Sequence, residues 1–202
     1  MTTISAAMVK ELREATGAGM MACKQALMDA DGDLGRATEI LREKGLASAA
    51  KRADRSANQG LIDSYIHFNH TVGVLVEVNC ETDFVANTDE FRSLVKDLCL
   101  HIASPASPSW VTREDVPGSL LESERHIFEV QAKETGKPDN VIAKIVEGKL
   151  EAFYRDHVLL DQPFVKDDSR TIQRLLDDTS AKVGEKVAVR RFVRYKLGER
   201  SE

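Results

Sequence analysis

Three aspartates at alternate positions form the sequence's clearest pattern for binding a metal ion. Asp29, Asp31 and Asp33 have the spacing of the first three ligands of an EF-hand calcium loop. That loop needs glycine at its sixth position and glutamate at its twelfth, where this chain has Leu34 and Ile40. The pattern therefore predicts a turn that caps a helix and not a calcium site.

Histidines and cysteines are the other common metal ligands in this sequence. His67 and His70 are close in sequence, but no cysteine or third histidine stands at a useful spacing, so we expect an exposed pair. Cys23, Cys80 and Cys99 are odd in number and widely spaced, which argues against a disulfide framework and a zinc site. We expect these three cysteines to be small buried apolar residues.

The sequence also lacks the patterns of nucleotide binding and nucleophilic catalysis. Its glycines open no Gly-x-x-x-x-Gly-Lys or Gly-x-Gly-x-x-Gly loop. Ser56 and Cys80 have no neighbouring signature that would supply a base and an oxyanion hole. We therefore predict a protein without enzymatic activity and without a cofactor.

Composition limits the kinds of partner that the chain can bind. Of its 202 residues, 42% are hydrophobic, which supports a packed core. Lys and Arg number 28 against 33 Asp and Glu, and this acidic balance argues against nucleic acid as a direct partner. The sequence contains neither a secretory signal nor a membrane-spanning run, so we expect a cytoplasmic protein with no membrane partner.

The first part of the chain predicts three short helices that share one small core. Ser5 is placed to cap the first helix, Met20–Ala30 forms the second, and Asp33 is placed to cap the third. Gly45 then supplies a left-handed stop. We predict a three-helix domain over 1–46 and a solvated linker over 47–59, where small and charged residues dominate.

The remainder, 60–202, predicts an α+β core. Gly60–Phe68 and Thr71–Asn79 have the pattern of two strands joined at Asn69-His70. Asn87 and Glu90 have the spacing of a capping box, and a helix follows them. The overall fold class is therefore α+β with a small helical domain in front.

Later segments complete this core. Ser104–Gly118 is rich in proline and serine and predicts an irregular connection. Leu120–Glu134 and Pro138–Phe153 predict an antiparallel helical hairpin, which spans about 119–157. A further helix is expected over Ser169–Val183, and a half-buried strand of a mixed sheet over Val187–Leu197.

One aromatic residue occupies an unusual place in this pattern. Phe84 follows the second predicted strand and precedes a well-capped helix, so it belongs to the buried face of neither element. An aromatic side chain at such a turn can protrude as an anchor for a partner's pocket. It can also fold back onto its own core, and the residues alone favour this second alternative.

Several ordered segments of the chain resemble one protein family. Val9–Lys24 and Val76–Ala86 resemble the two signature segments of bacterial elongation factor Ts. Shorter matches occur at Thr135–Pro138, Ile145–Lys149 and Gln162–Phe164. The resemblance covers essentially the full length of the chain.

The resemblance implies a specific architecture and function. Members of this family are guanine-nucleotide exchange factors that bind elongation factor Tu carrying GDP, displace its magnesium ion and promote GDP release during translation elongation. They combine a three-helix N-terminal domain, similar to ubiquitin-associated domains, with an α+β dimerisation core and a helical coiled-coil hairpin. The loop that reaches the partner's magnesium site corresponds to Thr82, Asp83, Phe84 and Val85. The N-terminal residues that grip the partner correspond to Lys10, Arg13, Met20, Met21 and Lys24.

Two further expectations concern the oligomeric state, which the resemblance implies, and two adjacent methionines. Longer members carry a second core subdomain, whereas this chain resembles the short form, so a homodimer that uses the strand Arg190–Leu197 is expected to supply the missing half. Adjacent residues of a helix point about 100° apart, so one of Met20 and Met21 is expected to face inward and the other to face a partner. The alternative function is a non-catalytic protein-interaction module, for which Phe84 would not be required.

Overall fold

The computed structural model of the protein describes residues 4–52 and 54–199. The outermost residues of the predicted domains, 1–3 and 200–202, and position 53 of the predicted linker lie outside this part of the chain. The helices are α1 Ala6–Thr16, α2 Met20–Asp29, α3 Leu34–Arg52, α4 Asp83–Ala86, α5 Asp89–Ala103, α6 Gly118–Lys133, α7 Asp139–His157 and α8 Ile172–Val183. The strands are β1 Gln59–Ile66, β2 Val72–Cys80, β3 Pro163–Phe164, β4 Asp167–Thr171 and β5 Ala188–Lys196. The predicted α+β class is confirmed.

The first three helices pack around a small apolar core. Ser5 caps α1 by accepting a hydrogen bond from the Met8 amide at 3.2 Å, and Gly17 follows the helix with a left-handed φ of 69°. Asp33 caps α3, because its Oδ1 accepts a hydrogen bond from the Arg36 amide at 2.8 Å. The buried members of this core are Val9, Leu12, Cys23, Ala26, Leu27, Ala30 and Ala37. The three predicted helices and the Asp33 cap are confirmed.

The third helix is longer than predicted. It continues through Gly45 to Arg52, so the prediction of a connector was wrong for residues 47–52. A glycine inside a helix costs only about 1 kcal/mol relative to alanine, and residues 47–50 include three alanines. The end of the helix also gains a partner, because Arg52 Nη1 lies 3.3 Å from the carbonyl oxygen of Ser180.

The three longer strands form one sheet in the order β1-β2-β5. The predicted hairpin of β1 and β2 is present, and its turn contains His70 in the left-handed region at φ 57°. The Leu197 amide donates a hydrogen bond to the Thr71 carbonyl at 2.8 Å, which ties the end of β5 to the start of β2. The sheet is antiparallel, so the prediction of a mixed sheet was wrong.

The alternation predicted for the last strand changes partway along β5. Val187 and Val189 are buried as expected, but Val193, Tyr195 and Leu197 are exposed. The pattern changes at positions 190 and 191, where two consecutive arginines are both exposed. The prediction that the apolar residues share one buried face is therefore wrong beyond Val189.

Two helix starts also differ from the predictions. The cap of α5 is Thr88 and not Asn87, because Thr88 Oγ1 accepts a hydrogen bond from the Phe91 amide at 3.3 Å. The helix expected from Ser169 begins at Ile172, since residues 167–171 form β4 and pair with β3. Pairing with a distant segment overrides helical propensity there.

Helices α6 and α7 pack against each other and are joined by residues 134–138. Gly136 adopts a left-handed φ of 66° in this connection. Their contact is apolar, with Phe128 and Ile145 against a buried cluster of Ala132, Ile142, Val146 and Leu150. Both helices extend beyond the predicted bounds, α6 at its start and α7 at its end.

Tertiary contacts divide the chain into two compact units, and each unit is assembled from three segments. The first contains Met1–Leu61, Val78–Leu94 and Arg174–Ala188, and the second contains Ile62–Glu77, Val95–Gln173 and Val189–Glu202. The N-terminal helices therefore share a unit with the segment that carries Phe84. Among the described residues, no helix has the length and apolar character needed to cross a bilayer.

Candidate protein-binding surfaces

The segment Thr82–Val85 forms a single helical turn that presents an aromatic ring to solvent. Thr82 is the N-cap of α4, and its Oγ1 accepts a hydrogen bond from the Val85 amide at 3.3 Å. Phe84 is 82% exposed. The ring therefore does not fold back onto its own core, and the turn region expected from the sequence is a short helix.

Buried neighbours on both sides explain why the ring points outward. Cys80 at the end of β2 and Ala86 at the end of α4 are both buried. Side chains two residues apart on a helix lie about 200° apart, so burial of Ala86 directs Phe84 away from the interior. Asp83 is exposed next to Phe84, and Val85 is half-buried.

Glu185, from a second segment of the same unit, forms hydrogen bonds with the residues at the start of this turn. Glu185 Oε2 accepts hydrogen bonds from the amides of Glu81 at 3.1 Å and Thr82 at 3.0 Å. Its Oε1 accepts a further bond from Thr82 Oγ1 at 2.7 Å. Charge-assisted bonds of this kind are stronger than neutral ones. Glu185 was not predicted from the sequence, since it lies 103 residues from Thr82 and belongs to no recognisable motif.

The connection between the two segments is reciprocal. Glu81 Oε1 accepts a hydrogen bond from the Lys186 amide at 2.7 Å and lies 3.3 Å from Arg55 Nη1. The Lys186 amide and, to a lesser extent, Arg55 lower the pKa of the Glu81 carboxyl below its ordinary value. Glu185 thus binds the backbone of residues 81 and 82, and Glu81 binds the backbone of residue 186.

The cysteine beside the turn has a structural role. The Cys80 thiol donates a hydrogen bond to the Thr82 carbonyl at 3.1 Å. Burial raises the pKa of Cys80, and the nearby Glu185 carboxylate raises it further. Cys23 and Cys99 are also buried, so the expectation for all three cysteines is confirmed. No group of three or more His, Cys, Asp or Glu residues in the described chain is arranged to hold a metal ion.

The residues that suggested metal binding have other partners. Asp29 Oδ2 lies 2.9 Å from Lys44 Nζ, and this partner lowers the pKa of the Asp29 carboxyl. His67 Nδ1 lies 3.0 Å from the Tyr65 hydroxyl oxygen. Only His70 of the two histidines is exposed, and His67 is half-buried, so the predicted exposed pair was half wrong.

All five N-terminal residues singled out from the sequence line one groove. The groove has a volume of about 860 Å³. Its wall contains Lys10, Arg13, Met20, Met21 and Lys24, together with Ile4, Ala6, Val9, Glu14 and Gly17. Residues from α1 and α2, which the sequence pattern could only place on separate helices, therefore meet at one surface.

Both methionines of this groove are exposed, Met20 by 60% and Met21 by 75%. The prediction that one of them faces inward was wrong. The inward face of α2 is already occupied by Cys23, Ala26 and Leu27. Flexible methionine side chains on a surface adapt to the shape of a partner.

The groove combines this apolar surface with positive charge. Lys10, Arg13 and Lys24 outnumber its single acid, Glu14, although the whole chain carries a net charge of −5. Lys10 Nζ lies 3.7 Å from Glu14 Oε1, and both side chains are largely exposed, so this ion pair contributes little to stability. The groove suits a protein surface with apolar and acidic groups.

A second exposed surface lies on the β1-β2-β5 sheet, and we call it the apolar sheet face. A Cβ atom on Gly73 would lie 3.0 Å from Ile66 Cδ1, which places β1 and β2 residues on the same side. Arg191 Nε lies 2.7 Å from Glu77 Oε2, which places β5 residues there too. The exposed members of the face are Ile62, Ile66, Leu75, Val193, Tyr195 and Leu197. Several exposed apolar residues on one face are typical of an interaction site.

Comparison with known proteins gives a consistent result along the chain. Residues 5–199 match the model of the family described as Elongation factor TS. The chain is 58% identical over 196 residues to elongation factor Ts of Thermoanaerobacter sp. (strain X514), a match that covers 97% of this chain and 96% of that protein. Identity to elongation factor Ts of Fervidobacterium nodosum is 56% over 196 residues, covering 97% and 99% of the two chains. Identity to that of Geobacter sulfurreducens is 53% over 197 residues, covering 98% and 91%.

Proposed function

This chain belongs to the elongation factor Ts family, and we infer that it is a guanine-nucleotide exchange factor for elongation factor Tu in translation elongation. Exchange replaces one bound nucleotide by another and changes no covalent bond, so the protein is not an enzyme. Its work is differential binding: it must bind the nucleotide-free partner more tightly than the GDP-bound partner.

We propose that the turn Thr82–Val85 acts as the wedge of this exchange factor. The observation that carries the proposal is the 82% exposure of Phe84 on a turn whose ends are buried. An exposed aromatic ring on an ordered turn can enter a pocket at reduced entropic cost, because the backbone that carries it does not have to be ordered on binding. Aromatic residues of this kind contribute a large share of interface energy.

The wedge is proposed to act on the partner's magnesium ion. Mg²⁺ requires near-ideal octahedral geometry and bridges the nucleotide's phosphates to the protein. A small displacement of the partner's backbone by Phe84 would therefore weaken both the ion and GDP. Because coupling between two ligands is reciprocal, incoming nucleotide lowers the partner's affinity for the factor by the same ratio and ejects it.

Asp83 gives the wedge a negative charge next to its ring. The residue is exposed at the start of α4, where a carboxylate also interacts favourably with the helix dipole. Two roles remain consistent with this position. The carboxylate either repels the anionic groups around the ion or competes for a donor that binds them.

The groove of α1 and α2 is proposed to supply the grip on elongation factor Tu. Its three cations steer the encounter with an acidic surface, and Met20 and Met21 provide apolar contact area. The groove and Phe84 belong to the same compact unit. We propose that one unit therefore carries both binding and displacement.

The homodimer of the short form is proposed to use the apolar sheet face. Its apolar residues on β1, β2 and β5 leave a surface that a second copy of the chain would bury. We also propose that the chain divides into a ubiquitin-associated-like domain over 1–46 and a dimerisation core over 60–202. The core would include a helical coiled-coil hairpin over about 119–157. A cytoplasmic location is likewise proposed, since translation elongation takes place there.

Release of fluorescent GDP from elongation factor Tu tests the proposed function. The wild-type protein is expected to accelerate release in a concentration-dependent way. Phe84→Ala is expected to slow release at saturating factor by about 10- to 100-fold, because a buried aromatic contact is worth about 1.5 to 2.7 kcal/mol. The substitution removes an exposed side chain, so the thermal stability of the factor is expected to stay unchanged.

Phe68 provides a matched control for this experiment. It is also 82% exposed, and it lies beyond the end of β1 in the second compact unit. Phe68→Ala is expected to keep the wild-type rate. Equal rates for wild type and Phe84→Ala would favour the alternative of a non-catalytic interaction module and overturn the wedge.

A further inference from the structure

We propose that Glu185 is a positioning residue for nucleotide exchange, which fixes the turn that carries Phe84 without itself contacting the partner's nucleotide. The inference rests on the proposed wedge and adds a residue to it. Glu185 is placed to do this by three hydrogen bonds, from the amides of Glu81 and Thr82 and from Thr82 Oγ1.

These three bonds determine the direction in which α4 leaves the sheet. Thr82 has extended backbone angles of φ −129° and ψ 156°, and α4 begins at the next residue. The Glu185 carboxylate accepts hydrogen bonds from both the backbone amide and the side-chain hydroxyl of Thr82. A change in the backbone or side-chain torsion angles of Thr82 would therefore break at least one of these bonds. Thr82 Oγ1 can then donate to Glu185 while it accepts from the Val85 amide.

Glu185 is itself held by the end of α8. Ser180 Oγ donates a hydrogen bond to the Glu185 carbonyl at 2.6 Å, and Ser180 is 4% exposed. The Gly184 amide donates to the Ser180 carbonyl at 3.0 Å, and the left-handed φ of 76° at Gly184 ends the helix. The Glu185 carboxylate therefore follows directly after the end of α8, and hydrogen bonds to Ser180 fix its backbone there.

The same helix end is connected to the N-terminal helices. Arg52 Nη1, at the end of α3, lies 3.3 Å from the Ser180 carbonyl oxygen and 3.4 Å from its Oγ. A Cβ atom on Gly17 would lie 3.0 Å from Lys182 Cε, so the end of α1 contacts α8 as well. A continuous series of contacts therefore leads from α1 and α3 through Ser180 and Glu185 to Thr82.

This arrangement allows Glu185 to influence nucleotide exchange through the Phe84 turn. The wedge can displace part of the partner only if the turn that carries it keeps its own conformation. If the turn were loose, part of the binding energy would be used to order the Phe84 segment in the complex. Glu185 is therefore expected to affect the maximal rate of GDP release more than the affinity of the groove for the partner.

A second tie makes the inference testable in a folded protein. Glu81 binds the Lys186 amide at 2.7 Å, and this bond does not involve the Glu185 side chain. Removal of the Glu185 side chain therefore leaves the bond between Glu81 and Lys186 in place. We expect Glu185→Ala to fold with a loosened turn, and Glu185→Gln, which keeps one acceptor oxygen, to have an intermediate effect.

The experiment is a double-mutant cycle on stimulated GDP release, with rate measured against factor concentration. Glu185→Ala is expected to lower the maximal rate by about tenfold, and the concentration for half-maximal effect is expected to change by less than about threefold. In the Phe84→Ala background, Glu185→Ala is expected to cause no further loss of rate. That non-additivity identifies action through the wedge, whereas general destabilisation would lower the rate in both backgrounds.

Glu90→Gln is the matched control, because the Glu90 carboxylate belongs to the same unit and forms an ion pair with Lys182 at 2.9 Å. It is expected to keep the wild-type maximal rate. A wild-type maximal rate for Glu185→Ala, or equal losses in both backgrounds, would overturn the role of Glu185 while leaving the exchange function intact. Absence of stimulation by the wild-type protein would instead overturn the proposed function. If Glu185→Ala does not fold, Glu185→Gln tests the same three bonds and Thr82→Val tests the bond from Thr82 Oγ1, both with the same cycle.

Discussion

Gly60 at the start of β1 packs directly against the carbonyl oxygen of Val78 on β2. A Cβ atom at Gly60 would overlap that oxygen, and the φ of Gly60 is +146°, a conformation that side chains rarely adopt. The close approach of the two backbones therefore requires glycine at this position. Val78 is two residues before Cys80, so the contact fixes the strand from which the Phe84 turn emerges.

Gly60→Ala is accordingly expected to destabilise the protein by at least about 2 kcal/mol, because the new methyl group must displace the backbone of either β1 or β2. Gly148 is the matched control, since it lies within α7 and a Cβ atom there would meet open space. Gly148→Ala is expected to stabilise by about 0.5 to 1 kcal/mol. Denaturant unfolding of both variants measures the difference, and equal stabilities would contradict the contact.

The charges of the N-terminal groove are expected to control affinity for the partner. Arg13→Glu places a like charge against an acidic partner and is expected to raise the half-maximal concentration for GDP release about tenfold, with the maximal rate unchanged. Higher salt is expected to reduce the difference between the two proteins. Arg42→Glu makes the same charge change at an exposed position of α3 outside the groove wall. An equal loss for both variants would mean that net charge and not the groove determines binding.

The apolar sheet face is expected to hold the homodimer together. Leu75→Glu places a charge at the centre of this face and is expected to convert dimers into monomers at micromolar concentration, because burial of an unpaired charge is costly. Val130→Glu is the matched control, since Val130 on α6 and Leu75 are both 46% exposed. Size-exclusion chromatography with light scattering measures the mass. A monomeric wild-type protein under these conditions would contradict the dimer.

His101 is expected to make stability depend on pH. His101 Nδ1 accepts a hydrogen bond from the Val165 amide at 3.2 Å, and Nε2 lies 2.9 Å from Gln162 Oε1. Protonation of Nδ1 would break the first bond and bury a charge. Burial therefore holds the pKa of His101 below its ordinary value of 6.5.

The sign of the pH effect follows from this shift. Between the folded and unfolded pKa values the unfolded chain binds more protons, so stability is fully present above about pH 6.5 and declines as pH falls below it. The melting temperature is expected to fall between pH 7.5 and pH 5.5. In His101→Gln that fall is expected to be smaller, because the titrating group is gone. An identical pH dependence in the variant would show that other groups cause it.

Local patterns were sufficient to predict most helices and strands. Ser5 and Asp33 act as caps because a short polar side chain before an apolar helical repeat can satisfy free amides without help from distant residues. The strand ends around Asn69-His70 were predicted for a similar reason. The prediction failed at Gly45, where a glycine stop was overridden by alanines beyond it and by the bond from Arg52 to Ser180.

The candidate site was predicted less completely. Motif resemblance pointed to Phe84 and to the five residues of the groove, although the local pattern around Phe84 favoured a ring that packs on its own core. The local sequence pattern did not predict a role for Glu185. Its role depends on a meeting of segments 103 residues apart.

The amino-acid order alone thus determined where most helices and strands form, the caps at Ser5 and Asp33, and which family the chain resembles, because these properties depend on neighbours within a few positions. Packing in three dimensions decided that Phe84 is exposed, that both methionines face the groove, that β5 turns its apolar residues outward after Arg191, and that Glu185 holds the turn. Solvent exposure and hydrogen bonds between distant segments are properties of the assembled surface, and no local pattern contains them.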